Sequence, residues 1–216
     1  NNHMNNVVKN FEYIKNLINN NNAKIIAISK TFSYEKIKPL VDYGHNHFGE
    51  NKVQEAFLKW SNIKKSTPSI QLHMVGKLQS NKARLAVELF DYIHSIDSEK
   101  LANEVSKYEK LLNKHNKYFI QVNIGNENQK AGIHVDELDS FYKFCKNTSL
   151  NIVGLMCIPP NDNNPKKYFA KLYKLNNLLK LQQISMGMSA DYRIAIQCGS
   201  TFVRIGSAIF GDRSVK

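Results

Sequence analysis

The sequence is poor in the features that would take it out of the ordinary globular class. It has three cysteines, Cys145, Cys157 and Cys198, with no CxxC pair among them. Neither a disulfide framework nor a thiolate metal site is supported, and the three read as reduced packing residues in a reducing compartment. Arginine is scarce, with Arg84, Arg193, Arg204 and Arg213 the only four among 30 basic residues. Duplex readers use arginine for bidentate contacts to guanine, and the lysines here are spread along the chain without interleaved aromatic residues. A net charge of +12 therefore implies weak, salt-sensitive attraction to polyanions rather than specific nucleic-acid recognition. No apolar run approaches the roughly 20 residues of a membrane helix, and no basic-then-apolar leader is present. The expectation is a cytoplasmic protein with no membrane partner.

What remains is 216 residues with 42% hydrophobic content, enough for one substantial core. Residues 1–4, Asn1-Asn2-His3-Met4, are set aside as a remnant ahead of a native Met4, leaving residues 5–216 as a single domain. No internal repeat or linker divides it. β-Branched and apolar runs bounded by turn signals predict strands at 25–30, 46–50, 72–76, 92–97, 118–123, 152–158, 182–187 and 202–206. Helical periodicity fills the gaps, at 34–43, 53–60, 81–89, 98–112, 135–146, 165–181 and 190–197. A further amphipathic helix at 7–19 precedes the first strand, with Val8, Phe11, Ile14 and Ile18 on one stripe. Residues 19–22 read as a helix end and turn, and residues 161–164 as an exposed loop. Strand–helix alternation implies parallel pairing with right-handed crossovers. The fold class is α/β, a single (β/α)8 TIM-type barrel with an extra N-terminal helix. A doubly wound open sheet is the alternative.

In a barrel, chemistry collects at the carboxyl ends of the strands. Lys30 closes the first apolar run, Ile25-Ile26-Ala27-Ile28-Ser29-Lys30. A lysine there either snorkels into water or is desolvated, and a desolvated, neutral amine is a nucleophile toward aldehydes. Arg204 lies between Val203 and Ile205 on the last strand, where a guanidinium needs a partner: a structural carboxylate or a ligand. Gly206 and Ser207 follow it, offering backbone N–H groups and a hydroxyl where barrels commonly bind phosphate.

The segments Ala27-Ile28-Ser29-Lys30-Thr31, Gly44-His45-Asn46-His47-Phe48-Gly49-Glu50-Asn51, Leu78-Gln79-Ser80-Asn81-Lys82, Ser185-Met186-Gly187-Met188-Ser189 and Gly199-Ser200-Thr201 through Gly211 occur in that order. Together they resemble the YggS, or pyridoxal-phosphate homeostasis, family across nearly the whole chain. That family is similar in fold to the barrel domain of alanine racemase but lacks its second domain. The resemblance implies that Lys30 forms a Schiff base with pyridoxal 5′-phosphate (PLP) and that Arg204 faces the pyridine nitrogen. It further implies that Gly206, Ser207 and Ser185 cradle the phosphate, with Thr201 a weaker candidate, and that Asn51 and Met186 line the ring. An arginine only donates hydrogen bonds, so the nitrogen it faces stays an unprotonated acceptor and the ring is a poor electron sink. The resemblance further implies that the second acid–base group, which alanine racemase draws from its second domain, is not supplied here.

The function so implied is intracellular PLP homeostasis, as a carrier or buffer without robust turnover. PLP-dependent apoenzymes are the implied recipients, and a monomer is the expected state. The alternatives are a PLP-dependent amino-acid racemase of low activity and a basic module that binds RNA or acidic partners. Other features stay open or are set aside. Gly76-Lys77 lacks the spaced glycine of a P-loop, and Lys77 either adds charge near the pocket or faces solvent. His45 and His47 lack a third ligand for a metal. His73 and His94 read as core or rim histidines, and Glu50 either orients a cofactor-side residue or is solvated.

Overall fold

The computed structural model describes residues 2–18, 22–128 and 131–212. Eight strands form the barrel: β1 (Lys24–Ile28), β2 (His47–Glu50), β3 (Gln71–Met74), β4 (Tyr92–Ile96), β5 (Lys117–Asn123), β7 (Ile152–Met156), β8 (Gln183–Ser185) and β9 (Phe202–Ile205). All pair in parallel, β4 joins β5, and β9 returns to β1, so the sheet closes on itself. The open-sheet alternative is excluded by that closure. A two-residue strand, β6 (Ile133–His134), adds to β5 outside the ring through Val122 and Asn123. It lies immediately before the predicted 135–146 helical segment, and two residues carry no periodic signal by which it would be found.

The crossover helices follow the predicted periodicity. They are α2 (Tyr34–Tyr43), α3 (Val53–Ser66), α4 (Ala83–Leu89), α5 (Glu99–Leu112), α6 (Leu138–Asn147), α7 (Pro165–Leu178) and α8 (Tyr192–Gln197), with a four-residue α9 (Ser207–Phe210) after β9. Local signals set several ends. Ser98 caps α5 by accepting from the Leu101 N–H at 3.1 Å. Gly44 ends α2 in the left-handed region at φ 107°. The N-terminal helix α1 spans Asn2–Leu17, so it begins earlier than predicted and its backbone includes residues of the segment set aside as a remnant. Residues 19–21 of the predicted turn lie outside the described residues.

The alternation of each strand sends one set of side chains inward and the other toward the helices. Ile26, Ile28, Val75, Tyr92, Phe119, Met156 and Phe202 form a cluster inside the barrel. A larger cluster packs the outer faces of the strands against the helices and holds Phe11, Ile14 and Ile18 of α1. The inward set also contains polar groups. His73, His94, Ser185 and Arg204 are all buried, and they determine what the barrel mouth can do.

Candidate functional site

At the carboxyl ends of β1, β7, β8 and β9 lies a cleft of about 630 Å³ whose lining includes Lys30, Ser189, Asp191, Arg204, Gly206 and Ser207. Lys30 is not itself in a strand. β1 ends at Ile28, and the chain turns through Ser29 and Lys30 into Thr31, which has φ 67°. A β-branched residue in the left-handed region is strained. Its conformation is held from both sides. The Thr31 N–H donates to Glu55 Oε1 at 2.6 Å, and the Ser29 N–H donates to the Gly49 carbonyl at 2.9 Å.

Beneath that turn sits a buried ionic cluster. Glu50 is 0% exposed; it accepts from the Ser29 hydroxyl, from Trp60 Nε1 at 3.0 Å and from Lys59 Nζ at 3.1 Å. Lys59 also donates to the Ser29 carbonyl at 2.7 Å. Of the two readings for Glu50, the orienting one fits, because a carboxylate with no access to water is satisfied wholly by this cluster. Both hydrogen-bonding ends of Ser29 are thereby fixed, and with them the point from which Lys30 departs.

Arg204 is 3% exposed. Nη1 donates to Ser185 Oγ at 2.6 Å and Nη2 to the Cys157 carbonyl at 2.9 Å. Among the described residues these are its side-chain hydrogen-bond partners, and both are neutral oxygens. Burial lowers its pKa from the usual value, and the Cys157 thiol and the Asp191 carboxyl nearby act in the opposite direction. The Cys157 thiol is itself pushed up to about 12 by burial, so it is uncharged. A buried guanidinium has five N–H donors, and here protein oxygens take two. The cleft therefore presents a fixed cation with donors to spare, the character of a site for a ligand that accepts hydrogen bonds.

The predicted residues divide into two groups. Lys30, Arg204, Gly206 and Ser207 line the one cleft. The other four lie elsewhere. Ser185 is 0% exposed beneath Arg204, where its hydroxyl is shared between Arg204 and His94, so it has no face open to a phosphate. Met186, the next residue, points to the opposite side of β8 and packs with the helices at 0% exposure rather than lining the cleft. Thr201 precedes β9, at the far end of the barrel, where Oγ1 accepts from the Ile184 N–H at 2.9 Å. Asn51 lines a separate cleft of about 610 Å³ with Lys77 and Gln79, and Lys77 is exposed there.

Sequence reading passed over Ser189, whose hydroxyl lines the Lys30 cleft and accepts from the Ala208 N–H at 3.2 Å. It stands in the Ser185-to-Ser189 motif, four residues beyond Ser185. The turn that carries it contains Gly187 at φ 102°, where a Cβ would meet the Ala195 Cβ at 2.6 Å. Also missed was a series of inward rings, with His47 hydrogen-bonded to His73 and His73 to His94, each at 2.9 Å. His47 thus engages His73, with the His45 ring 6.3 Å away.

The family model for the alanine racemase N-terminal domain matches residues 3–214. The pyridoxal phosphate homeostasis protein of Haemophilus influenzae is 37% identical over 207 residues, 91% of this chain and 87% of that one. Its counterpart in Vibrio cholerae is 38% identical over 205 residues, 88% and 86% of the two chains. The structure of PipY from Synechococcus elongatus PCC7942, with PLP bound, matches at a TM-score of 0.87 and 32% identity over 95% of this chain and 100% of that one. A barrel closed around a mouth lysine and a buried arginine, matched along its length by these proteins, places the chain in the pyridoxal phosphate homeostasis family, which shares the N-terminal domain of alanine racemase.

Proposed function

We propose that the chain binds pyridoxal 5′-phosphate in the Lys30–Arg204 cleft and serves intracellular PLP homeostasis as a monomeric cytoplasmic carrier or buffer, without robust turnover. The observation that carries this reading is Arg204, a nearly inaccessible cation whose side-chain hydrogen-bond partners among the described residues are two neutral oxygens. Its spare donors suit a pyridine nitrogen, which accepts a hydrogen bond without being protonated. When bound, the cofactor supplies an aldehyde that condenses with a primary amine, losing one water to give a Schiff base that hydrolysis reverses. Lys30 is the amine in the cleft, and the Ser29–Glu50–Lys59 cluster sets its position. Gly206, Ser207 and Ser189 surround the remaining polar wall and are the residues we assign to the phosphate.

The cleft supports binding better than racemisation. Inverting a carbon needs acid–base groups on both of its faces. Among the described residues of the cleft lining, Lys30 and Asp191 are the candidates, and Asp191 Oδ1 already accepts from the Met188 N–H at 2.8 Å. Borohydride treatment of PLP-loaded protein followed by peptide mass spectrometry is expected to mark Lys30, and Lys30→Ala is expected to abolish the mark while preserving the circular dichroism spectrum. A mark on another lysine would refute the assignment. Rapid α-deuterium exchange across a panel of L-amino acids would replace the carrier reading with the racemase one.

A further inference from the structure

Five polar groups cross the barrel interior in single file. His47 Nδ1 meets His73 Nε2 at 2.9 Å, His73 Nδ1 meets His94 Nε2 at 2.9 Å, His94 Nδ1 meets Ser185 Oγ at 2.9 Å, and Ser185 Oγ meets Arg204 Nη1 at 2.6 Å. The strand register produces this file. His47 stands opposite Gln71, and His73 is two residues beyond Gln71; His73 in turn stands opposite Tyr92, and His94 is two residues beyond Tyr92. Each step moves to the next strand and one inward position toward the mouth. The file runs from the first residue of β2, beside a cavity of about 520 Å³ at the barrel base, to the last residue of β8, under Arg204.

The rings are confined and uncharged. Tyr92 stacks on His73 at 4.3 Å and Phe119 on His94 at 4.3 Å, and Phe202 stands edge-on to both. Burial holds the pKa of His73 and His94 well below the usual value and that of His47 near about 4. The charged groups around them are Arg204 beside His94, Lys64 near His73, and Lys24, Lys117 and Asp91 near His47. Each neutral ring carries one N–H and one acceptor nitrogen. In such a file one proton position dictates all the others.

Arg204 fixes that position. It can only donate, so Ser185 Oγ must accept from it, and the serine's single O–H then has His94 Nδ1 as its acceptor. His94 is left with its proton on Nε2, which it donates to His73 Nδ1; His73 does the same toward His47. The reverse order would make His94 a donor to Ser185 and leave a buried hydroxyl hydrogen with no acceptor among the described residues, a cost avoided in the first order. We propose that His94, His73 and His47 are positioning residues: a unidirectional relay, every ring in the Nε2–H form, that holds the Ser185 oxygen toward Arg204 and so orients the guanidinium at the cleft.

This assignment rests on the Arg204 cleft being the PLP site only for its effect on affinity, so the test has two parts. In the ligand-free, ¹⁵N-labelled full chain at pH 7.5, two-bond ¹⁵N–¹H correlations should show His47, His73 and His94 as Nε2–H tautomers. An Nδ1–H form at His94 would overturn the relay whether or not PLP binds. In the second part, His94→Phe removes the acceptor for Ser185, whereas His94→Asn places an amide oxygen close to the lost Nδ1. His94→Phe is expected to weaken PLP binding about tenfold, the effect of losing one buried hydrogen bond, and His94→Asn to restore it to within about twofold. Equal weakening in both variants would refute positioning through Ser185. No PLP binding to the unmutated chain would refute the cofactor site and leave the tautomers to decide the relay.

Discussion

Mild acid should destabilise the fold well before its carboxylates titrate. Burial holds His45 near about 3 and His47 near about 4, and puts His73 and His94 well below the ordinary 6.5. A histidine depressed in the folded state contributes its full stability above the unfolded value and loses it as pH falls from about 6.5 toward the folded value. At pH 5.0 an unfolded histidine has taken up its proton almost completely, which favours unfolding by about 2 kcal/mol per ring relative to pH 7.5. The fully buried His73 and His94 together supply about 4 kcal/mol of this loss. His45 and His47 are only partly buried, so solvent screening cuts their joint share to about 2 kcal/mol. A total near 6 kcal/mol is comparable with the whole stability of many domains. Trp60, the single tryptophan and 0% exposed, reports global unfolding by fluorescence. Urea titrations at pH 7.5, 6.5, 5.5 and 5.0 should show a midpoint that falls steadily below pH 6.5. A change of less than about 2 kcal/mol across that range would mean that the rings are charged or hydrated in the native state, and the neutral relay would fall with it.

Two further outcomes follow from the site. Lys59→Met should strip the buried Glu50 of its counter-ion and cost about 3 kcal/mol in urea unfolding; it should also weaken PLP binding, because Ser29 loses a donor to its carbonyl, and an unchanged affinity would detach the cluster from Lys30. Thr201→Val removes the Oγ1 acceptor for Ile184 at the barrel base, so it should cost about 1 kcal/mol of stability and leave PLP affinity unchanged; a large affinity loss would return Thr201 to the binding site.

The architecture was legible because it is written in local periodicity. Runs such as Ile25 to Ile28 and Phe202 to Ile205 read as strands from their own composition, and each predicted strand overlaps an observed one. The candidate cleft was legible where a residue's place along a strand sufficed: Lys30, Arg204, Gly206 and Ser207, all expected at carboxyl ends, lie together in its lining. It was less so where the facing of a residue mattered. Ser185 and Met186 occupy consecutive positions and so point to opposite sides of β8, and neither reaches the cleft. Thr201 shares a motif with Arg204 but sits at the other end of β9. The histidine file is the clearest gap. His47, His73 and His94 are each visible in a strand segment, but their contact depends on the inter-strand register, which no single segment encodes.

The return of β9 to β1 also bears on how the chain reaches its native state. Lys24 pairs with Phe202, so the ring is completed by segments about 180 residues apart in sequence. Until they meet, β1 and β8 both expose unpaired edges, and Ser185 waits beneath an absent Arg204. Such long-range closure is slow because its loop entropy is lost before its contacts form. The last strand is therefore the keystone of the arch: it removes both sticky edges and brings the buried guanidinium of the cleft in a single event. Exposed edges of this kind are prone to association until that strand has docked, and the Lys30–Arg204 cleft is complete only then.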